Sequence, residues 1–349
     1  MSTNTVSFFT PRSSATPAAH AVREGVLNIA GPWMLHHGGV LEGLRLGWRL
    51  SGPPSAPVII ALGGISADRR VAYEPRDGAG GEEAGWWSAI AGPGRALPTE
   101  RLRILSIDYL GGGGETSGPR AGADFPAVST RDQAMLLCRL LDHLGIPVLR
   151  AIVGASYGGM VALAFGECFP DRAAQLLVIS AADRPHPMAT AWRSVQREIV
   201  RLGLDSGETA RGLGLARALA MTTYRSAEEF AARFSGPPKE TSGRFVFPVE
   251  EYLRSRGRDY AGRHQPLAFL TLSESIDLHH IDAARVRVPV TAIAVREDQL
   301  VPLADVRAMC ARLPQARLHE LSSVYGHDAF LKESGQLAPL FASLYEGTP

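Results

Sequence analysis

The segment GASYG at residues 154–158 places one serine between two glycines. This G-x-S-x-G pattern is typical of a nucleophile elbow, a sharp strand-to-helix turn that exposes the serine hydroxyl. The bare pattern is weak, because a chain with 37 glycines can contain it by chance. Its surroundings support it, since an apolar run at 148–153 precedes it and a helix-like run at 158–169 follows. We predict that Ser156 is a nucleophile, and the alternative is a small residue in an ordinary strand-to-helix turn.

A serine hydroxyl reacts when a base takes its proton. In sites of this kind an acid and then a histidine follow the serine along the chain. Asp298 lies in a loop directly after the apolar run at 288–295, and His327 follows the strand-like run at 316–321. Of the ten histidines, His327 is the one that lies downstream of a loop aspartate and in a loop of its own. We therefore predict that His327 is the base for Ser156 and that Asp298 orients it.

Acyl transfer at a serine also requires two backbone N–H donors for the oxyanion. We expect one of them at Tyr157, directly after the nucleophile. The other is expected in the loop after an early strand, the segment ALGGISADRR at residues 61–70. Its adjacent glycines suit a close approach of the backbone to a substrate, although such pairs also occur in ordinary turns.

The elements that must position these residues follow an alternating order. Short runs rich in Val, Ile and Leu predict strands buried on both faces, and helix-like runs such as 129–145 separate them. This order predicts an α/β fold, with a mostly parallel sheet and helices on both faces. Residues 184–286 are amphipathic and helical instead, which predicts a helical lid inserted into a core made of 26–183 and 287–349. The strand-like runs are VIIAL (58–62), RILSID (103–108), VLRAIV (148–153), QLLVIS (175–180) and VPVTAIAV (288–295).

The composition excludes several classes of protein. The 349 residues are 45% hydrophobic and 20% charged, and the net charge of +1 gives no basic surface for nucleic acid. No apolar run approaches the roughly 18 residues of a membrane span. Residues 1–25 are expected to be a disordered extension without a signal peptide. Cys138, Cys168 and Cys310 are far apart, which predicts reduced thiols in a cytoplasmic protein and neither a disulfide framework nor a metal site.

Several longer segments have no general role in hydrolases: HHGGVLEG, GWWSAIAGPGRALPT, SIDYLGG, GASYGGMVAL, GLARALAMTTYRSAEEFAARF, FPVEEYLRSRG and YGHDAFL. In these segments the chain, from about residue 34 to its end, resembles the homoserine O-acyltransferases, α/β-hydrolase-fold enzymes of methionine biosynthesis. The resemblance implies transfer of an acyl group from acyl-CoA, as co-substrate, to homoserine by a ping-pong mechanism. It implies no metal or redox cofactor, and a homodimer formed through the helical lid.

The resemblance also implies a role for particular residues. A guanidinium can bind an α-carboxylate through two hydrogen bonds, and a carboxylate can bind an α-ammonium. By the resemblance, Arg217 and Asp328 hold the amino acid in this way, with Tyr224 as a neighbour. The implied catalytic residues are Ser156 as nucleophile, Asp298 as orienting acid and His327 as base, with an oxyanion hole formed by the N–H groups of Leu62 and Tyr157.

The chain departs from the family pattern around the acyl group. Tyr157 stands where methionine is usual after the serine, and the segments LGGISADRRVA and YLGGGGETSGP differ from the acetyltransferase pattern. Arg69 and Arg70 are candidates to pair with a succinyl carboxylate, so we favour succinyl-CoA over acetyl-CoA as donor. The alternatives are a serine O-acyltransferase of cysteine biosynthesis, a serine esterase or thioesterase, and a non-catalytic binding module on the same fold.

Overall fold

The computed structural model describes residues 21–74, 83–122 and 124–345. The main sheet consists of β1 (Ala21–Met34), β2 (Val40–Gly52), β3 (Val58–Leu62), β4 (Arg103–Ile107), β5 (Ala151–Ala155), β6 (Leu176–Ile179), β7 (Val290–Val295) and β8 (Ala316–Leu321). Their order in the sheet is β1-β2-β4-β3-β5-β6-β7-β8. The β1–β2 and β2–β4 pairs are antiparallel, and all the others are parallel. The predicted α/β-hydrolase fold, with its mostly parallel sheet, is confirmed.

Helices connect and cover these strands. They are α1 (Thr130–Leu144), α2 (Tyr157–Cys168), α3 (Pro187–Asp205), α4 (Thr209–Tyr224), α5 (Ala227–Phe234), α6 (Pro248–Ala261), α7 (Pro266–Asp277), α8 (Leu303–Cys310), α9 (Ala329–Lys332) and α10 (Ser334–Phe341). Shorter elements are the strand pairs Tyr73–Glu74 with Glu83–Ala84 and Ala91–Gly92 with Leu97–Pro98, and the 3-10 turns Ala283–Arg285, Gly326–Asp328 and Ala342–Leu344.

The parallel strands inside the sheet, unlike the edge strand β8, are buried on both faces, which explains their largely apolar runs. Successive strand residues point to opposite sides. Ile60 packs on the side of α1 and α2, whereas its neighbour Ile59 packs on the side of α10, where it joins a cluster that contains Phe341. Apolar side chains are therefore favoured on both faces of these strands and not at alternate positions alone.

Helix α1 begins and ends as its sequence predicts. The Ser129 hydroxyl accepts a hydrogen bond from the Asp132 N–H, and the Asp132 carboxylate accepts one from the Ser129 N–H. This reciprocal capping box satisfies N–H groups that have no partner inside the helix. Gly145 ends the helix with a φ of 68°, a conformation that glycine adopts without a steric penalty.

Helices α3 to α7 lie between β6 and β7, and we call residues 187–277 the helical insertion. They fall within the predicted interval 184–286, but the insertion also contains a hairpin, Lys239–Thr241 with Arg244–Val246, that the sequence pattern did not predict. The insertion has a small apolar core of its own, formed by Val200, Leu213, Ala216, Tyr260 and Phe269.

Two boundaries differ from the sequence-based expectation. Disorder as far as residue 25 is wrong for residues 21–25, which begin β1 and pair with β2 from Ala21 opposite Gly52. Pairing supplies the backbone hydrogen bonds there, and residues 1–20 lie outside the described part of the chain. The strand predicted at 148–153 begins later, at Ala151, and runs directly into the serine turn. Within the described residues, no helix is both long and apolar enough to cross a bilayer.

Candidate active site

Ser156 occupies the turn between β5 and α2 with a φ of 55° and a ψ of −122°. Residues other than glycine rarely adopt a positive φ, and such strain concentrates at functional turns. A Cβ atom at Gly154 would overlap the carbonyl of Gly158, and one at Gly158 would overlap the carbonyl of Leu62. The two glycines of the motif therefore let β5, α2 and β3 meet closely enough to form the sharp turn.

His327 and Asp298 complete a hydrogen-bonded chain with the serine. His327 Nε2 lies 2.8 Å from Ser156 Oγ, and His327 Nδ1 lies 2.7 Å from Asp298 Oδ2. An ionised carboxylate can only accept, so Nδ1–H donates to Asp298 and Nε2 accepts from the serine hydroxyl. The other carboxylate oxygen, Asp298 Oδ1, accepts from the N–H groups of Leu300 and Val301 at 2.9 and 3.0 Å. The loop after β7 thus holds the acid in place for the histidine.

Opposing influences set the proton affinity of His327. Burial of the imidazole disfavours its charged form, but the adjacent Asp298 carboxylate favours it more strongly, and Asp328 adds to this effect. The pKa of His327 is therefore raised above its ordinary value. A more basic imidazole accepts the serine proton more readily, as a general base must.

The turn that carries the histidine is in contact with the helical insertion. Gly326 has a φ of 52°, and a Cβ atom there would lie 2.9 Å from the carbonyl oxygen of Tyr224 and 3.2 Å from that of Glu297. The end of α4, the loop that carries Asp298 and the turn that carries His327 therefore meet at a single glycine.

Two backbone segments flank the serine where an oxyanion would form. Tyr157 is the first residue of α2, so its N–H has no partner within the helix. On the other side, Gly64 follows β3, and a Cβ atom there would lie 3.9 Å from Ser156 Oγ. Leu62 is the last residue of β3 and is 2% exposed. Gly64 and Tyr157 line the cavity over the serine, whereas Leu62 does not line it.

The side chain of Tyr157 points away from the cavity into a buried polar cluster. Its hydroxyl lies 2.7 Å from Ser275 Oγ of α7 and accepts from Gln133 Nε2 of α1 at 3.3 Å. Its ring packs edge-on against Tyr109, whose hydroxyl donates to the Gly63 carbonyl at 2.7 Å. Burial raises the pKa of Tyr157, so the phenol stays neutral. This residue, unusual in the motif, therefore links the serine turn to the insertion.

A cavity of about 220 Å³ lies over Ser156, between the sheet and the helical insertion. Arg217 of α4 lines it, and its guanidinium donates to the Tyr224 hydroxyl at 3.3 Å. The same guanidinium lies 4.8 Å from the centroid of the Tyr260 ring. These aromatic rings hold the cation in the cavity without neutralising it.

Asp328 lines the same cavity, directly after the histidine. Its Oδ2 accepts a hydrogen bond from Arg225 Nε at 2.9 Å, and Arg225 also pairs with Glu229 at 2.8 Å. The structure thus brings Arg217, Tyr224 and Asp328 into one space with the serine and histidine. This arrangement can bind a small zwitterion beside an activated hydroxyl.

A further arginine lines the cavity, and the sequence analysis missed it. Arg193 of α3 donates to Asp277 Oδ1 from Nε at 2.9 Å and from Nη2 at 2.6 Å. Arg197, one turn later, donates to the other oxygen of the same carboxylate at 2.6 Å. Two arginines share one carboxylate, which leaves a net positive charge beside the cavity. Their i, i+4 spacing on one helix face was the signal that could have found them.

The expected role of Arg69 and Arg70 at the acyl group does not match their positions. Arg69 pairs with Asp108 at 3.0 Å and with Glu115, and neither Arg69 nor Arg70 lines the cavity over Ser156. The buried Asp108 holds Arg69 toward the loop after β4. In the described residues, no group of three or more His, Cys, Asp or Glu side chains is arranged to hold a metal ion.

Comparison with known proteins agrees with this fold and places the chain in a family. A family model described as alpha/beta hydrolase fold matches residues 77–334. A homoserine O-succinyltransferase of Xanthomonas campestris is 41% identical over 99% of this chain and 90% of its own length. A homoserine O-acetyltransferase of Clavibacter michiganensis is 30% identical over 95% of this chain and 96% of its own.

Solved structures support the fold. The crystal structure of homoserine O-acetyltransferase from Bacillus anthracis superposes with a TM-score of 0.82 at 18% identity, covering 93% of this chain and 98% of that one. Esterase E22 superposes with a TM-score of 0.83 at 20% identity, covering 93% of this chain and 100% of that one. The chain therefore belongs to the alpha/beta-hydrolase fold family and, within it, to the homoserine O-acyltransferases.

Proposed function

We propose that the protein transfers an acyl group, with succinyl favoured over acetyl, from acyl-CoA to the side-chain hydroxyl of homoserine. The observation that carries this proposal is the Ser156–His327–Asp298 chain, which opens into a cavity that also holds Arg217 and Asp328. The relative that is 41% identical bears the name homoserine O-succinyltransferase, which supports the choice of acceptor and donor. The product would be an O-acylhomoserine for methionine biosynthesis.

The first half of the reaction acylates the enzyme. Ser156 Oγ attacks the thioester carbonyl while its proton passes to His327 Nε2. The oxyanion that forms is stabilised by N–H groups of the two flanking segments, at Tyr157 and in the loop after β3. The C–S bond then breaks, and the CoA thiolate leaves with the proton from His327. Ser156 now carries the acyl group as an ester.

The second half passes the acyl group to the amino acid. His327 takes the proton of the homoserine hydroxyl, and the resulting oxygen nucleophile attacks the ester on Ser156. Collapse of the tetrahedral intermediate breaks the bond to Ser156 Oγ, which recovers its proton from His327. The proposed cycle uses acyl-CoA as co-substrate and requires no metal or redox cofactor.

The polar groups of the cavity support a zwitterionic acceptor. We assign the α-carboxylate to the Arg217 guanidinium, with the Tyr224 hydroxyl as a second donor. We assign the α-ammonium to Asp328, whose Oδ2 is already held by Arg225. An alcohol that lacks the two charged groups offers no carboxylate to the half-buried Arg217 guanidinium and no ammonium to Asp328, which disfavours its binding.

Arg193 supports a dicarboxylic acyl group. The second carboxylate of a succinyl group would be drawn to the net positive charge that Arg193 and Arg197 leave around Asp277. An acetyl group has no carboxylate to pair with this charge. The arginine that we assign to donor choice is therefore Arg193 and not Arg69 or Arg70.

The test is to identify the products by mass spectrometry. Homoserine and serine are each offered with succinyl-CoA and with acetyl-CoA, and a control contains no amino acid. We expect O-succinylhomoserine to form fastest. A serine ester would instead match the relative named serine O-succinyltransferase, of Litchfieldella anticariensis, which is 30% identical. Release of CoA at the same rate without any amino acid would identify a hydrolase.

We further propose that two copies pair through the helical insertion, in the cytoplasm. Met188, Val195 and Leu202 of α3 are 52%, 52% and 69% exposed, and their seven-residue spacing places them on one helix face. Two such apolar stripes are self-complementary across a two-fold axis. The measurement is sedimentation at several concentrations, with Leu202→Glu expected to give monomers.

The free thiols Cys138, Cys168 and Cys310 support a reducing compartment.

A further inference from the structure

A second cavity adjoins the one over Ser156. It has a volume of about 460 Å³, and the two share a wall made of residues 65–67 and Trp86. The loop after β3, which flanks Ser156 on its oxyanion side, therefore faces both spaces. The Ser66 hydroxyl in this wall donates to the Tyr260 hydroxyl at 3.2 Å, so α6 contacts the wall.

The first cavity is too small for both substrates. Cavities that enclose drug-sized ligands have volumes of about 300–1,000 Å³, whereas the space over Ser156 has about 220 Å³. That volume suits an amino acid and a short acyl group. The long arm and the nucleotide of an acyl-CoA must then lie outside it, and the second cavity is the adjacent space.

The lining of the second cavity has groups that suit phosphate. Arg263, just after α6, lines it, and its Nε donates to the carbonyl of Asp259 at 3.0 Å. No carboxylate among the described residues lies within ion-pair distance of Arg263. Gly113 and Gly114 also line this cavity and present backbone without side chains, whereas the N–H of Gly112 already donates to the Tyr109 carbonyl at 2.9 Å. A Cβ atom at Gly113 would meet nothing within 4 Å. A glycine-rich loop lets N–H groups approach an anion closely.

The other charged groups of the lining are largely occupied. Arg69 and Asp108 neutralise one another at 3.0 Å. The Asp68 carboxylate accepts from the backbone N–H of Arg70, and Arg70 has a further partner of its own, so it is not free; both residues line the cavity. Burial lowers the pKa of His264, so this imidazole is neutral near pH 7. Arg263 therefore stands out as the cation that is available to a ligand on this side.

We propose, on the basis of the proposed function, that this second cavity binds the phosphate-bearing arm of the acyl-CoA. The thioester lies at Ser156, the pantetheine arm crosses the wall at Ser66 and Trp86, and the phosphates lie between Arg263 and the glycine loop 112–114. The loop YLGGGG, which the catalytic mechanism leaves without a role, acquires one as part of the donor site.

The test compares a full donor with a truncated one. We expect Arg263→Ala to raise the KM for succinyl-CoA about tenfold, the effect of losing one charge-assisted contact to phosphate. The KM for succinyl-pantetheine, which has the thioester but lacks the nucleotide phosphates, should not change. Arg258→Ala is the matched control, because this exposed arginine lies nearby, in the last turns of α6, and does not line the cavity. An equal change for both donors, or no change, would overturn the proposal.

A second variant and a direct binding measurement separate this proposal from the proposed function. Gly113→Glu places a negative charge in open space, so the protein should fold and bind CoA about tenfold more weakly. Calorimetry of free CoA with the Ser156→Ala variant, alone and combined with Arg263→Ala, requires no turnover. Loss of CoA affinity with Arg263→Ala supports the donor site even if the acceptor proves not to be homoserine. Unchanged CoA affinity refutes the donor site even if O-succinylhomoserine forms.

Discussion

Replacement of Arg193 by leucine should change which acyl donor the enzyme prefers. The guanidinium is 11% exposed and shares Asp277 with Arg197, so its removal leaves the carboxylate with a partner at 2.6 Å. The protein should therefore fold. A hydrogen bond to a charged group contributes about 1.5–3 kcal/mol, which corresponds to a loss of about 10- to 150-fold in kcat/KM for succinyl-CoA. The value for acetyl-CoA should change little, because an acetyl group makes no such contact.

The assay is kcat/KM for both donors at saturating homoserine, expressed as a ratio. Arg197→Leu is the matched control. It removes the other arginine that binds Asp277, and Arg197 does not line the cavity. The control removes the same net charge but leaves the guanidinium of Arg193 in the cavity, so it should lower the succinyl-to-acetyl ratio less than Arg193→Leu does. If Arg193→Leu lowers both donors equally and raises the KM for homoserine, then Arg193 binds the amino acid and the reasoning is wrong.

The pH profile of the Arg193→Leu variant gives an independent result. Burial lowers the pKa of His327 and Asp298 raises it, and both effects are larger than that of Arg193. The positive charge of Arg193 also lowers the pKa of His327. Removing it should raise the pKa of His327. The acid limb of kcat/KM against pH, measured with acetyl-CoA, should therefore move to higher pH. A limb that stays in place would mean that the guanidinium does not act on the imidazole.

Three further predictions follow from the site. Asp298→Asn should lower kcat by about 10⁴-fold; because the carboxylate raises the pKa of His327, the acid limb should move to lower pH, as rate profiles would show. Asp328→Asn should raise the KM for homoserine about tenfold or more while the burst of CoA release from the first half-reaction persists; a lost burst would assign Asp328 to acylation. Tyr157→Phe leaves the buried Ser275 hydroxyl without this partner, so the free energy of unfolding in urea should fall by about 1–3 kcal/mol; an unchanged value would mean that the contact contributes nothing.

Local pattern was sufficient to predict the triad arrangement. Ser156, Asp298 and His327 each follow a strand of the parallel part of the sheet, and the carboxyl ends of parallel strands meet at one edge of the sheet. Chain order together with strand ends therefore predicted which side chains lie close together. The roles of these residues in turnover remain predictions for the experiments above.

The residues that local pattern missed depend on how helices pack. The i, i+4 spacing of Arg193 and Arg197 places them on one face of α3, but Arg193 reaches the cavity only because of the way α3 packs against α7, which supplies Asp277. Arg69 was assigned to the acyl group because it lies in the loop after β3, but the buried Asp108 holds it on another side. Strands β1 and β2 were not predicted, because the strand character of β1 comes from pairing with β2 and not from an apolar run.

The contact at Gly326 limits how this enzyme can acquire a new acceptor. The carbonyls of Tyr224 and Glu297 lie where a side chain at residue 326 would go, and Arg225 at the end of α4 holds Asp328. The proposed acceptor site and the hydrogen-bonded chain of Ser156, His327 and Asp298 thus meet at one contact between two parts of the protein. A chimera that exchanges the helical insertion with that of a relative should retain activity only if the turn at 326–328 is exchanged with it. Acceptor specificity and catalytic activity should therefore change together.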